Sequence, residues 1–387
     1  MKLLLLHTYY QLSGGEDSVY EVEMSLLQNR GHAVLPLTFY NEDLVSFPSW
    51  QQAQLTLWNQ EAYRRMRQAI RDYKPDLLHA HNTFPLASPA VIRAAKAEGI
   101  PVVMTLHNYR LLCVNALFFR RGRVCEDCLG RIPWRGVFHG CYRDSRPASA
   151  VVAAMLTLHR ALGTWNMVDR FIALTEFAKQ KFIEGGFPPE KISVKPNFVH
   201  PDPGPGEGRG GYALFVGRLS PEKGLGTLLV AWERLGGKVP LKIVGDGPLA
   251  PEVQEAQKRI PGVEWLGRKA PEEVYALVGE AAFLVFPSEG YETFGRVAIE
   301  AFAKGTPVLA AHIGAVGEVT EDGRTGLHFR PGDPEDLAAK VEWLLAHPNE
   351  LARMRKEARA EYEAKYTAEQ NYAQLMAIYH EVLSKRR

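Results

Sequence analysis

Short apolar runs alternate with amphipathic stretches along this chain, and that rhythm constrains the fold more than any other feature. "KLLLLHTYY" at 2–10 reads as a buried strand, "SVYEVEMSLLQNRGH" at 18–32 as an amphipathic helix and "HAVLPLTF" at 32–39 as the next strand. "PDLLHAH" (75–81), "PVVMTLHN" (101–108) and "RFIALT" (170–175) continue the pattern. Apolar runs of strand length separated by helical periodicity predict βαβ units, that is, a parallel sheet with helices on both faces. The pattern breaks at "KPNFVHPDPGPGEGRGG" (195–211), whose Pro and Gly density reads as a linker and hinge. It restarts at "YALFVGRLS" (212–220) and runs through "PLKIVGDG", "VEWLG", "FLVFPS" and "TPVLAA" before a helical C-terminal third. The expected organisation is two α/β domains, 1–197 and 198–365. Ligands are expected at the carboxyl ends of the strands.

Composition excludes several classes of function. Lys and Arg number 46 against 44 acids, so no global field favours nucleic acid. The N-terminal apolar run, Leu3–Leu6, is shorter than a signal peptide needs, and "ASAVVAAMLTL" (148–158) is too short to span a bilayer. A cytoplasmic protein is expected, with peripheral contact at the inner face of the membrane left open.

Charged residues gather at predicted strand ends in the second half. In "FVGRLSPEKGL" (215–225), Arg218 and Lys223 follow a strand that ends at Gly217. Arg as a bidentate fork and Lys as a point charge suit a diphosphate, although a solvated basic turn has the same composition. "IVGDGPLA" (243–250) loosely resembles a dinucleotide fingerprint. That fingerprint belongs in a domain's first βα unit, so Gly245 and Gly247 are better read as a tight turn near a ligand. "FPSEGYETFGRVAIEAFAKGTPVLA" (286–310) places Glu292 before a helix start and Glu300 about two turns inside it, with free amides near Phe294 and Gly295 that favour an anionic group. Two exposed helix carboxylates are the plainer reading. In the first half, Gly14 and Gly15 form a loop before a helix, and His107 stands at a strand end.

Glu292-x7-Glu300, with "TFG" between the glutamates and "EAFAKGTPV" after them, resembles the signature of retaining family 4 glycosyltransferases. "FVGRLSPEKG", "LKIVGDGP", "PNFV" (196–199), "HIGAVGEVTEDGRTGLHF" (312–329) and "SGGEDSVYEVEMSLLQNRGHAV" (13–34) match in order, so the resemblance covers nearly the whole chain. It implies the α/β GT-B fold, two Rossmann-like parallel-sheet domains facing across a cleft, with a last helix at about 366–387 that returns to the first domain. It also implies transfer from a nucleotide-diphosphate sugar to a glycan, lipid-linked or small-molecule acceptor, in polysaccharide or glycoconjugate assembly. By that resemblance Arg218 and Lys223 hold the donor diphosphate, Glu300 accepts from the ribose hydroxyls and Glu292 contacts the sugar hydroxyls. The amides at Phe294 and Gly295 complete the pocket, with Gly247 in the adjoining turn. Gly14 and Gly15 face the donor phosphates, and His107 contacts the sugar. His107, Arg218, Lys223 and Glu292 form the catalytic set; Glu176 and Asn197 are secondary candidates. "HN" stands at 107–108 where relatives commonly have "HD", which puts the role of that acid in doubt. The sequence contains no Asp-x-Asp pair, so metal-independent transfer is expected, with the Arg and Lys supplying the positive charge. A sugar-nucleotide epimerase or phosphorylase of the same fold, and a non-catalytic sugar-nucleotide-binding protein, are the rival readings.

One segment departs from the family pattern. Cys113-x11-Cys125-x2-Cys128-x12-Cys141 has the knuckle spacing of a structural Cys₄ zinc site, with an iron–sulfur cluster, disulfides or free thiols as alternatives. The surrounding insertion, about 110–146, holds eight arginines against three acids. Phe118, Phe119, Trp134 and Phe138 are interleaved with them, a composition suited to an anionic lipid-linked acceptor or a membrane surface rather than to nucleic acid.

Overall fold

A computed structural model of the chain describes residues 1–11 and 14–385. It separates into two compact units. The first comprises Met1–Phe118, Glu126–Pro196 and the chain from Asn371 onward; the second comprises Phe119–Cys125 and Asn197–Gln370.

The strands of the first unit are β1 (Lys2–Tyr9), β2 (Ala33–Tyr40), β3 (Leu77–Ala80) and β4 (Val102–Thr105). A short antiparallel hairpin follows, β5 (Phe119–Arg120) and β6 (Arg123–Val124), which clusters with the second unit. β7 (Arg170–Ala173) and β8 (Ile192–Val194) then complete a six-stranded parallel sheet of order β2-β1-β3-β4-β7-β8. Leu3 to Leu6 are fully buried on both faces of β1, as a strand covered by helices on each side requires. Each such side chain contributes roughly 1.5–3 kcal/mol relative to exposure. The terminal helix Ala368–Ser384 lays Leu375, Ile378, Tyr379 and Val382 against Leu3, Leu5, Tyr20 and Leu77.

The second unit contains β9 (Ala213–Val216), β10 (Leu241–Val244), β11 (Val263–Gly267), β12 (Phe283–Phe286), β13 (Val308–Ala311) and β14 (Gly326–Phe329). They are parallel, in the order β11-β10-β9-β12-β13-β14. The chain enters at a central strand, steps outward twice, then returns to the other flank. The order therefore reverses between β9 and β12, and the loops leaving those two strands lie side by side at the carboxyl edge. The same reversal occurs between β1 and β3 of the first sheet.

Three expectations are corrected. The segment 195–211 is not a free linker. Lys195, Asn197, Phe198 and Val199 are buried. Further on, Gly206 N donates to Lys304 O, Gly208 N to Gly279 O and Gly210 N to Glu280 O. Glycine is needed for that seam: a β-carbon at Gly206 would lie 2.3 Å from Gly279 Cα. The charged C-terminal helix is two helices, Pro348–Lys365 and Ala368–Ser384, with Thr367 Oγ1 accepting from Gln370 N at the second start. Residues 386 and 387 lie outside the described residues. Glu300 stands one turn, not two, into its helix, because that helix spans Arg296–Ala303 and Gly295 is its N-cap at φ +94°.

Loop contact at the β9/β12 edge is backbone on backbone. Gly224 has φ +69°, and a β-carbon there would lie 1.8 Å from Pro287 O. Gly226, two residues on in the helix Leu225–Leu235, has nothing within 4 Å of where a β-carbon would stand. Gly224→Ala should therefore cost about 1–3 kcal/mol in urea denaturation. Gly226→Ala should be neutral or stabilising, by up to about 1 kcal/mol, because it restricts the unfolded chain.

Candidate functional site

The second unit brings its predicted residues together at the strand-order reversal. Arg218 and Lys223 lie on the loop after β9, and Glu292, Phe294 and Gly295 lie on the loop after β12. Glu222 O accepts from Glu289 N at 2.9 Å and from Gly290 N at 3.1 Å, which ties the two loops to each other. Phe119 of the hairpin packs on Gly290. The turn after β10 joins the same assembly. Leu219 N donates to Asp246 O, Leu249 N donates to Leu219 O, and a β-carbon at Gly247 (φ +159°) would lie 2.5 Å from Leu219 O. Gly245 and Gly247 thus serve loop packing.

Charges at this edge are paired. Lys223 Nζ donates to Glu292 Oε1 at 2.5 Å, and Ser288 Oγ donates to the same oxygen at 2.9 Å. Arg296 Nε lies 2.9 Å from Glu300 Oε1, one helical turn away. Burial pushes the Glu300 carboxyl above its ordinary range, and the Arg296 guanidinium opposes that shift. Phe294 is buried. Arg218 is exposed and makes no ion pair among the described residues. The edge therefore holds an exposed guanidinium and a half-buried Lys–Glu pair, with a second carboxylate on the first helical turn. Such a set can exchange its internal pairing for an anion and for hydroxyl groups.

In the first unit, Gly14 is the N-cap of the helix Gly15–Asn29 and Gly15 opens it, so only Gly14 lies in the turn expected for both; each is exposed with open space around its Cα atom. Gly14 N donates to Asp17 Oδ2 at 2.9 Å, and Asp17 Oδ1 lies 2.7 Å from His7 Nε2, so a buried carboxylate ties the helix start to β1. His107 follows β4 and lines a pocket of roughly 450 Å³, mouth included, with His81, Asn82, Phe84, Ser88 and Arg110. Burial holds His107 well below the usual imidazole range, reinforced by neighbouring His81, so the ring is neutral at pH 7. Glu176 is the first residue of a helix capped by Thr175, and Asn197 is buried.

Sequence reasoning missed two groups. The first is Glu16, whose Oε2 accepts from Asn108 Nδ2 at 3.0 Å. The same amide donates to Tyr10 OH at 3.2 Å. An amide rather than a carboxylate at 108 is what Glu16 requires, and this accounts for "HN" here. Burial pushes the Glu16 carboxyl up to about 8, only partly offset by Asn108. The second is a buried pair, Glu23 and Lys195, with Lys195 Nζ 3.0 Å from Glu23 Oε2. Its signal was available: Glu23 falls on the face of its helix that also carries buried Val19, Tyr20, Leu26 and Leu27.

None of the four cysteines is engaged in a disulfide. Cys113 is buried, which raises its thiol, while the backbone amides of Phe118, Asn115 and Ala116 act to lower it. The Cys113 thiol donates to Asn115 Oδ1 at 3.0 Å, and among the described residues no three of the cysteine sulfurs lie within 4.8 Å of one another. Gly130, two residues past Cys128, has φ +67°, and Leu129 N donates to Glu126 O, so the Cys-x2-Cys stretch is a tight turn.

Glu16 generates a pH prediction. A carboxyl raised in the folded state binds a proton that the unfolded chain has released. Its contribution to stability is therefore present below about pH 4.5 and lost as pH rises through about 8. Glu16→Gln mimics the protonated form. It should leave the melting temperature near that of wild type at pH 5 and raise it at pH 8, and a parallel pair of pH profiles would count against the assignment.

The chain matches Glycosyltransferase Family 4 over residues 13–203 and Glycosyl transferases group 1 over residues 205–361. An uncharacterized glycosyltransferase of Methanocaldococcus jannaschii is 25% identical over 99% of both chains. Glycogen synthase of Mycobacterium tuberculosis is 30% identical over 75% of this chain and 64% of its own length. In structure, Anabaena HepE solved with UDP superposes with a TM-score of 0.72 at 19% identity, covering 98% of this chain and 100% of that one. Two doubly wound parallel sheets, matched in succession by the family's two halves, make this chain an enzyme of the GT-B fold that belongs to the family 4 (group 1) glycosyltransferases.

Proposed function

We propose that this glycosyltransferase takes a sugar from a nucleoside diphosphate donor and transfers it with retention of anomeric configuration. The observation that carries the reading is the cluster of Arg218, Lys223–Glu292 and Arg296–Glu300 at the β9/β12 edge. A diphosphate arriving there competes for Lys223 and adds Arg218. Glu292, released from its lysine, is then available to accept hydrogen bonds from sugar hydroxyls. Glu300 remains as the acceptor for a ribose diol. Anabaena HepE was solved with UDP, which supports a nucleotide donor of this class. The likeness of Glu292-x7-Glu300 to the signature of retaining enzymes supports retention. With Glu292 assigned to hydroxyl binding, front-face substitution, in which the departing phosphate draws the proton from the acceptor, is the mechanism that fits. Arg218 and Lys223 neutralise the leaving group, and the chain has no Asp-x-Asp pair, so the reaction needs no divalent cation.

A lipid-linked glycan at the cytoplasmic face of a membrane is the acceptor class favoured by the insertion. Ile132, Trp134 and Phe138 are 60–65% exposed. Arg135 sits over the Trp134 ring and Arg146 over the Phe138 ring. Aromatic groups beside guanidinium groups suit an anionic headgroup layer. No helix among the described residues is long and apolar enough to cross a membrane. The pathway is polysaccharide or glycoconjugate assembly.

UDP titration combined with turnover tests the site. Glu300→Ala should weaken UDP binding about tenfold, or roughly 1.4 kcal/mol. Glu292→Ala should lower kcat by about a hundredfold with UDP affinity nearly intact. Equal effects of both substitutions on both quantities would overturn the division of roles.

The cysteines generate a second test. Cys113, Cys125, Cys128 and Cys141 are proposed to hold one structural zinc that pins the insertion and takes no part in transfer. Elemental analysis of untagged protein should find about one zinc per chain, and protein free of both zinc and iron would refute the site.

A further inference from the structure

The pocket at the carboxyl edge of the first sheet contains a positive charge with no counter-charge. It lies between the loops that follow β3 and β4, and every residue lining it belongs to the first unit. Arg110, His81 and His107 are the titratable residues of its wall, and no Asp or Glu among the described residues lines it. The rest of the wall is apolar or uncharged. Its volume, roughly 450 Å³ with the mouth, is that of a small-ligand site.

The Arg110 guanidinium is fixed in place. Its carbon lies 4.4 Å from the centre of the Phe84 ring and 5.1 Å from that of Tyr142, two rings set edge to face. Nη1 donates to Val114 O, and the Arg110 backbone amide donates to Asn108 Oδ1 at 2.9 Å. Arg110 makes no ion pair among the described residues, and its Nε is buried without a hydrogen-bond partner. A guanidinium keeps its charge in proteins, and a buried donor without an acceptor is destabilising. With Nη1 occupied, Nε and Nη2 remain as the edge whose two N–H groups match two oxygens of a carboxylate or phosphate.

The nearest coupled groups do not supply that anion. Asn108 Nδ2 donates to Glu16 Oε2 at 3.0 Å and to Tyr10 OH at 3.2 Å. Burial, with Asp17 adding to it, pushes the Glu16 carboxyl up to about 8 against the opposing pull of Asn108, Tyr10 and Arg110. Most of Glu16 is therefore uncharged at pH 7. Burial also raises the Tyr10 hydroxyl and the Cys113 thiol, both of which feel Arg110, so neither is ionised at that pH.

We propose that this pocket is an oxyanion site, in which Arg110 takes the carboxylate or phosphate of the sugar acceptor by a two-point hydrogen bond while the Phe84 and Tyr142 rings hold the guanidinium plane. That the anion belongs to the acceptor rests on the proposed function, which assigns the nucleoside diphosphate to the second unit; the anion site itself does not. A packing role uses Nη1 and the flat face of Arg110 and leaves Nε unsatisfied. A bound oxyanion satisfies Nε and balances the charge. The acceptor is thereby narrowed to acidic or phosphate-bearing molecules.

The test is calorimetric titration of the full-length protein, with excess UDP present, against glucuronate and against inorganic phosphate at pH 7. Saturable binding of at least one is expected, and the tighter of the two tells a carboxylate acceptor from a phosphate one. Arg110→Gln should weaken that binding by at least about tenfold, and Arg110→Lys, which keeps the charge but not the fork, by a smaller factor. Affinity for UDP should stay within about twofold in both variants. Raising the pH to 9 should weaken glucuronate binding as Glu16 ionises, and Glu16→Gln should remove that dependence. Should Arg110→Gln not fold, the Arg110 Nε–H signal of ¹⁵N-arginine-labelled wild type, assigned with Arg110→Lys, gives the same answer: it should shift when either probe is added. Binding of neither probe, or binding that the Arg110 variants leave unchanged, overturns the site, as does an Nε–H signal that does not move. Binding that depends on Arg110 in a protein that fails to bind UDP would support the anion site and count against the donor assignment instead.

Discussion

Parallel strands joined by crossover helices bring all their carboxyl ends to one edge, and everything functional in this protein depends on that constraint. In the second unit the strand order reverses between β9 and β12, so their loops must run side by side. They do so at backbone distance: Gly224 against the carbonyl of Pro287, Gly245 against that of Gly217, Gly247 against that of Leu219. Side chains at those positions would force the loops apart and separate Lys223 from Glu292. The glycines set the spacing, and the charges at the edge inherit it.

The two units solve different electrostatic problems with similar sheets. At the β9/β12 edge the charges are half-buried and exchangeable. Lys223 and Glu292 remain about one-fifth to one-quarter exposed, so an incoming ligand can replace either partner without stranding a charge in a dry interior. In the first unit Glu23 and Lys195 are about 1% exposed. Breaking that pair would leave an uncompensated buried charge, which makes it a fixed element.

Much of the fold was legible in the order of residues. Ten of the parallel strands coincide with apolar runs, and the register of buried leucines in β1 follows from four in succession. Short elements such as β8 went unseen because three residues carry no period. The Pro/Gly segment was misread for a physical reason: glycine density marks flexible chain and close backbone contact equally well, and here it serves contact along Gly206–Gly210. At the site, Arg218, Lys223, Glu292 and Glu300 were each identifiable by type and spacing. That Lys223 pairs with Glu292, and Arg296 with Glu300, was not, because such pairing depends on rotamers and on where a helix begins.

By itself the sequence determined the fold class, the two sheets and the candidate groups for the proposed nucleotide-sugar site, since hydrophobic periodicity and a spaced signature are local properties. Tertiary structure alone decided which of those groups face one another. Glu16 is pushed up to about 8 because the fold buries it, an effect that its hydrogen bond from Asn108, 92 residues away, only partly offsets. Glu23 and Lys195, 172 residues apart, are buried against each other. Burial and pairing fix protonation, and both are set by contacts between segments that are distant in sequence.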